Sequence, residues 1–487
     1  MKHRTPRELI EIYWTEVWNN RKADLIRELC ADPIVRHDPN STTELSLEDQ
    51  VARVQQQSET AEPYFEHEVL CADDTYVTSV WNMHTRKGKR VELCGIEVFK
   101  AVDGKFTDCW NSSYIAGRWG REGDVSVPQD LPPPAMISSV EQATPLWMQA
   151  VFQHAGIEVP RISITGVSPV GSGNLSITGR VAITYNANAA EAVRSVICKI
   201  TSDIGAAVDI ASMQDVYRRE VAAYAFFGDS PPFATPRCYW SNAGNDGMSL
   251  NLVLQDLTET TRAGDQVAGC SQAEALAVGT ELARLHTAYW DHPDLENATW
   301  LLNRQARAAR SAEVQRAAAA AFRDRFAQNL PSSCFDVIDH FAEHAERIIL
   351  ELPQGKALIH GEPRVDNILF EDLPHGHRAW LIDWQFTTRG SPMFDLAYFL
   401  AGSLTPDDRR AVEGKLIALH QAAISACEPT YSLERANEEF KACLPIALQF
   451  SVGAVLALPV GAHEDRLLTT LVERNVAALS DWNCAAA

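Results

Sequence analysis

The residues with the most chemical content fall in one stretch, ALIHGEPRVDNILFED (357–372). It sets a carboxylate, Glu362, beside His360 and five positions before the amide of Asn367, and a second carboxylate, Asp383, follows in the apolar run LIDWQ. Phosphoryl transfer needs an acid that orients or deprotonates a hydroxyl, together with hard oxygen ligands for magnesium. It also needs a phosphate cradle and a fixed cation. GSGN (171–174) lies between two strand-like runs. There the amides of Gly171, Gly173 and Asn174 either approach a phosphate closely or form only a hairpin turn. Lys199, in VICKI, sits in an apolar run where an unpaired lysine is costly to bury. Glu220, 21 positions on in a helical pattern, is its candidate ion-pair partner. Taken alone, the two also read as a strand-end lysine and a solvated glutamate. The order and spacing of Glu362, Asn367 and Asp383 are much harder to obtain from an unrelated polar turn.

These residues must be positioned by two kinds of element. A strand-rich region with RISITGVSPVGSGNLSITGRVAITY, AVRSVICKI and SLNLVLQDL precedes a region from 271 onward in which helical periodicity dominates. Upstream lies a proline-rich segment, REGDVSVPQDLPPPAM, which has the composition of a semi-rigid linker. Before it, a helical segment over 6–30, a turn at HDPNST and a helix capped by Ser46 and Asp49 lead into four alternating strand patterns, with a DGK turn. The expected fold class is α+β. A cone-shaped, curved antiparallel sheet with helices occupies 1–120, the linker 121–137, and a two-lobed, protein-kinase-like fold 138–487. Its small lobe spans about 138–257 and its helical large lobe about 258–487.

The chain has 487 residues, beyond the size at which one core usually stops growing. With 43 Lys and Arg against 64 Asp and Glu, its formal charge is -21, which repels phosphate backbones and anionic lipid. No nucleic acid or membrane partner is therefore expected. The start, MKHRTPRELIEIYWTEVW, lacks the apolar core of a secretory signal, and the apolar run at 444–462 contains two prolines and reads as a buried helix. Eleven cysteines without a C-x-x-C pair suit reduced thiols in a cytoplasm.

The segments GSGNLSITGRVAITY, VICKI, REVAAY, PRCYW, LVLQDL, ELARLHTAYW, LIHGEPRVDNILF and LIDWQFTTRGSPMFDLAYFL occur in an order that resembles one family. It is the choline- and ecdysteroid-kinase-like group of the aminoglycoside phosphotransferase superfamily, over residues of about 140 to 480. The resemblance implies ATP between the lobes, Lys199 on the phosphates, Glu220 holding Lys199, and Asn367 and Asp383 on magnesium. It also implies that Gln255, in LQDL, borders the adenine and that Asp395 braces the catalytic loop. The acceptor would be a hydroxyl group of a small molecule. The family has Asp where this chain has Glu362, so the base would act with one methylene more of reach.

Residues of about 5–120, with YWTEVWNNRKADLIRELCADPIVRHDP, resemble SnoaL-like polyketide cyclases and ketosteroid-isomerase-like domains. That resemblance implies an apolar pocket, with Asp38 at the position of the base and Tyr13 at that of the oxyanion donor. His37, His67 and His84 face either the pocket or solvent, and Trp14, Trp18, Trp81 and Trp110 are candidates to line it. Together the two domains suggest phosphorylation of an alcohol followed by removal of a neighbouring proton and loss of phosphate, a net dehydration, or an isomerisation. Two other functions fit the same residues: a kinase-like scaffold without transfer activity, and an N-terminal isomerase or cyclase with an auxiliary kinase. The expected partners are a small hydroxylated substrate and, through the N-terminal domain, a second copy of the chain.

Overall fold

A computed structural model describes residues 4–112, 114–119, 131–170, 176–186, 192–201, 215–244 and 249–484. The chain divides into two compact units, one built mainly from Met1–Leu131 and the other mainly from Pro132 onward.

In the first unit, helix Pro6–Ile12 starts at a capping box between Thr5 and Glu8 with proline in the first turn, and it continues as a wider π-helical segment, Tyr13–Asn19. Strands β1 (Cys30–Asp38) and β2 (Ser41–Leu45) form a hairpin, and helix Leu47–Thr60 begins where the Ser46 hydroxyl accepts the Asp49 N–H. Strands β3 (Pro63–Ala72), β4 (Tyr76–Thr85), β5 (Glu92–Val102), β6 (Lys105–Asn111) and the short β7 (Ile115–Ala116) complete a sheet of order β2-β1-β6-β5-β4-β3, with β7 on β5. The turn between β5 and β6 uses Asp103 and Gly104 at positive φ, as its DG sequence requires. Two features depart from the sequence expectation. The expected turn at HDPNST is present at Pro39 and Asn40 but is flanked by two strands, which make it the β1–β2 hairpin, and β1 runs parallel to β6 in an otherwise antiparallel sheet. This unit has its own core of aromatic and aliphatic residues.

The second unit opens with helix Pro145–His154 and a five-stranded antiparallel sheet. Its strands are β8 (Ile162–Pro169), β9 (Ser176–Tyr185), β10 (Ser195–Thr201), β11 (Cys238–Ala243) and β12 (Leu250–Gln255), in the order β11-β12-β10-β9-β8. Helix Val216–Phe227 lies between β10 and β11 in sequence and packs on β11 and β12. The remainder is helical apart from β13 (Thr261–Ala263), β14 (Ala357–Ile359), β15 (Ile368–Leu373), β16 (Gly376–Leu381) and β17 (Thr388–Gly390). Helix Gln272–Ala288, with a Ser271–Glu274 capping box, and helix Pro392–Ser403, every residue of which is buried, form the centre of this lobe.

The run Leu433–Leu456 is long and apolar enough to cross a membrane. Here it is broken between Cys443 and Ile446 into two helices, and Leu444, Ile446, Leu448 and Val452 lie in the core. All eleven cysteines are free thiols; Cys71 and Cys427 are exposed, and the others are buried or partly buried.

Candidate functional site

In the second unit, Lys199 occupies the middle of β10 and points toward helix Val216–Phe227. Its Nζ donates to Glu220 Oε1 and Oε2 at 2.7 and 2.8 Å and to Asp383 Oδ1 at 3.1 Å. Burial alone would lower the lysine pKa, but the two carboxylates outweigh it and keep the ammonium charged. Gln385 Nε2 donates to Glu220 Oε2 at 3.3 Å, so the glutamate is held from both lobes.

The β15–β16 hairpin aligns Ile368 with Leu381. The residues just outside that pair, Asn367 and Ile382, are joined by a 3.1 Å backbone hydrogen bond. Asn367 and Asp383 thereby sit together at one mouth of the hairpin. Asp383 has φ +70°, a left-handed conformation uncommon for a residue with a Cβ and characteristic of functional sites.

The loop between β14 and β15 carries Glu362 and is fastened at several points. Asp395 accepts the His360 N–H at 2.7 Å, the Gly361 N–H at 2.8 Å and a bond from His286 Nε2 at 3.0 Å. Burial tends to raise the Asp395 carboxyl, but the His286 bond and the loop amides hold it below its ordinary value. His360 Nε2 donates to the Ile382 carbonyl at 2.9 Å while its Nδ1 accepts the Glu362 N–H at 3.3 Å, which fixes a neutral ring with the proton on Nε2. Gly361 has φ +87°, and a Cβ there would meet the Phe386 carbonyl oxygen at 2.1 Å, so only glycine fits. Asn367 Nδ2 donates to the Glu362 carbonyl at 3.0 Å, leaving the amide oxygen as a ligand atom.

The Glu362 side chain is half-buried, and Tyr398 hydrogen-bonds its carboxyl. Burial, reinforced by the Asp383 charge, pushes the Glu362 carboxyl up to about 7, while Arg364, Arg304 and Tyr398 oppose the shift. Tyr398 and Arg304 were not singled out from sequence. Their placement depends on packing: Arg304 lies over the Phe394 ring at 4.5 Å and donates to the Gly361 carbonyl at 3.1 Å.

Of the other expected nucleotide-site residues, Gln255 ends β12 and its side-chain oxygen accepts the Arg237 N–H at 3.3 Å. Gly171, Gly173 and Asn174 lie outside the described residues. The donor set fits magnesium in kind. Asn367 and Asp383 contribute hard oxygens, and the described residues contain no group of three or more His, Cys, Asp or Glu that would form an all-protein cage.

The first unit contains a cavity of about 330 Å³. Its lining includes the aromatic rings of Tyr13, Trp14, Trp18, Phe65, Trp81 and Phe99. Gly95 makes room for this wall, since a Cβ there would stand 2.6 Å from the Trp81 ring. The cavity's carboxyl is Glu97, only 5% exposed. Tyr114 Oη donates to Glu97 Oε1 at 2.9 Å and accepts from Arg36 Nη2 at 3.1 Å. Burial raises the Glu97 carboxyl above its usual range, although the Tyr114 bond and the Arg53 and Arg36 charges oppose it.

Asp38, the expected base, does not line the cavity. It stands two residues past Arg36 on β1, and its carboxylate is clamped by Arg36 through bonds of 2.8 and 3.0 Å. This pairing lowers the Asp38 carboxyl and makes it a weak base. Tyr13 lines the cavity as expected, with burial pushing its hydroxyl pKa up. None of the three histidines lines it. His37 stacks on the exposed Trp110 at 4.6 Å, His67 bonds Ser79 at 3.0 Å, and His84 packs beside Tyr64. Trp14, Trp18 and Trp81 are lining residues, and Trp110 is not.

A strand-rich lobe carrying a lysine paired to a helical glutamate, above a helical lobe with a braced loop and a metal-type Asn/Asp pair, defines the kinase-like class. Residues 171–428 match the ecdysteroid kinase-like family, over more than half the chain, and the protein belongs to that family. Residues 12–109 match the SnoaL-like domain. No functionally curated protein matches the sequence. Among solved structures, a Ralstonia eutropha chain assigned as an aminoglycoside phosphotransferase aligns over 71% of this chain and 98% of its own, at 14% identity and a TM-score of 0.43. An LEH-like epoxide hydrolase of M. tuberculosis aligns over 22% of this chain and 80% of its own, at 16% identity and a TM-score of 0.21. An Acidithiobacillus ferrooxidans chain assigned as a polyketide cyclase aligns over 23% of this chain and 87% of its own, at 21% identity and a TM-score of 0.20.

Proposed function

We propose that this protein is an ATP- and magnesium-dependent phosphotransferase that phosphorylates a hydroxyl group of a small, largely apolar molecule. The observation that carries the reading is the contact of Lys199 with both Glu220 and Asp383, beside the loop that carries Glu362 and Asn367. Lys199, kept protonated, supplies a fixed positive charge for the nucleotide phosphates. Asn367 Oδ1 and the Asp383 carboxylate are the oxygens that would hold magnesium, which when bound neutralises charge on the transferred group. Glu362 orients the acceptor hydroxyl and takes its proton as the oxygen attacks phosphorus.

Glutamate in place of aspartate barely alters intrinsic acidity, about 4.3 against about 3.9. The Tyr398 bond gives the longer side chain a partner for its carboxyl. The resulting phosphate ester is then processed in the N-terminal domain, by loss of phosphate or by isomerisation. The free thiols fit a reducing compartment such as the cytoplasm.

The test is ATP turnover by the intact protein with magnesium across a set of hydroxylated acceptors. Asp383→Asn should lower turnover at least about 100-fold, and unchanged turnover in that variant would remove the metal assignment. Glu362→Gln should cost about 100- to 10,000-fold. Glu362→Asp should retain more activity than Glu362→Gln, because a carboxylate remains on the same braced loop.

A further inference from the structure

The N-terminal cavity holds one carboxyl and no imidazole among its lining residues. That composition limits its chemistry. Glu97 can take a proton from a substrate, since no described residue donates to its second oxygen. Among the described lining residues there is no second carboxyl or histidine to protonate a departing group, and burial pushes the Tyr13 and Tyr114 hydroxyls toward still weaker acidity. Hydroxide leaves poorly without such a proton, whereas phosphate, with a second pKa of about 6, leaves as a stable anion. The cavity is therefore suited to a leaving group that needs no protonation.

Two further features restrict the substrate. A carboxylate can abstract a proton from carbon only where an adjacent group stabilises the resulting charge, as a carbonyl does. Arg53 offers such stabilisation. Its Nη2 bonds Gln50 Oε1 at 3.1 Å, and its Nε is buried with no partner among the described residues. The Gln50 oxygen is thus occupied, which leaves its amide N–H groups to donate. Most of the remaining wall is aromatic or aliphatic, with Trp14 stacked on Phe65 at 4.4 Å and Ile34, Met83 and Leu93 also lining it, and the stacked rings favour a flat, apolar body.

We propose that Glu97 is the catalytic base of a second active site, which eliminates phosphate from a flat, apolar β-phosphoryloxy ketone whose carbonyl oxygen is held by Arg53 and Gln50. The C–H bond next to the carbonyl breaks and its proton goes to Glu97. That electron pair forms the C=C bond, the C–O bond to the phosphoryl group breaks, and inorganic phosphate leaves with the released pair. The products are an enone and phosphate, and Glu97 returns its proton to water. As a step in the protein's own sequence, this rests on the phosphotransferase reading, with a β-hydroxy ketone as the acceptor. Tyr114, which bridges Glu97 and Arg36, is a positioning residue.

The test uses the intact protein, without ATP, and a probe that is already phosphorylated, 3-(2-naphthyl)-3-oxopropyl phosphate. Because the probe bypasses ATP chemistry, failure of the phosphotransferase reading would leave this result unaffected. Naphthyl vinyl ketone and phosphate should appear in equal amounts above the buffer rate, and Glu97→Gln should slow the release by at least about 100-fold. Arg53→Met should slow it about 10-fold or more, while Glu44→Gln, on the exposed β2, should match the unmodified protein. Each variant is first checked for cooperative thermal unfolding. The proposal is overturned by phosphate release with the saturated alcohol as product, by release that Glu97→Gln does not change, or by no release above buffer.

Discussion

Burial separates Glu362 from an ordinary surface glutamate and pushes its carboxyl up to about 7. Only the deprotonated form can accept the acceptor's proton, so kcat/KM should rise with pH and reach half its plateau near pH 7, falling about tenfold per unit well below that value. In Tyr398→Phe one of the groups that opposes the upward shift is lost, so the midpoint should move to higher pH. A pH profile with a flat acid limb down to pH 5 would exclude Glu362 as the base. At this scale the sequence was informative where spacing was involved: Glu362, Asn367 and Asp383 are brought together as their order suggested. Glu97 was missed although a signal existed. Along β5 the buried positions are Cys94, Gly95, Glu97, Phe99 and Ala101, so from Gly95 onward an acid shares the inward parity, while Ile96 is exposed and Val98 half-buried. An inverted polar pattern of this kind marks a functional strand position better than similarity to an expected base at Asp38.

The elements that hold the loop respond to change differently from the residues that act. Gly361→Ala would force a Cβ into the Phe386 carbonyl, and the loop, with Glu362 on it, would have to shift. Misplacement of about 1 Å can cost on the order of 100-fold in rate, so turnover should fall by at least that factor while thermal stability falls modestly. By contrast Ser271→Ala removes only a helix cap, and it should cost about 1 kcal/mol of stability with no change in kcat. Helix Gln272–Ala288 and strands β3 to β5 are legible in the sequence because their periodicity is strong. Strand β1 is not, because CADPIVRHD has neither alternation nor a continuous apolar run. That strand is specified by its partners β2 and β6, and such pairing is invisible to a local reading.

For the molecule as a whole, charge and exposed surface lead to separate expectations. With a net charge of -21, the protein should bind neither duplex DNA nor anionic vesicles, even at low salt. The outer face of the N-terminal sheet nevertheless exposes Val69, Ile96 and Trp110 by 49%, 38% and 38%. This face is the expected contact for a second copy of the chain. Sedimentation velocity should give a dimer for the intact protein and a monomer for the double variant Val69→Asp, Ile96→Asp; a monomeric parent protein would rule this contact out. The exposed thiols have a practical consequence. Cys71 lies on β3 of the N-terminal unit and Cys427 follows helix Pro406–Ser425 of the kinase-like unit. Donor and acceptor dyes coupled to these two native positions would report, by energy transfer, whether nucleotide changes the distance between the two halves of the protein.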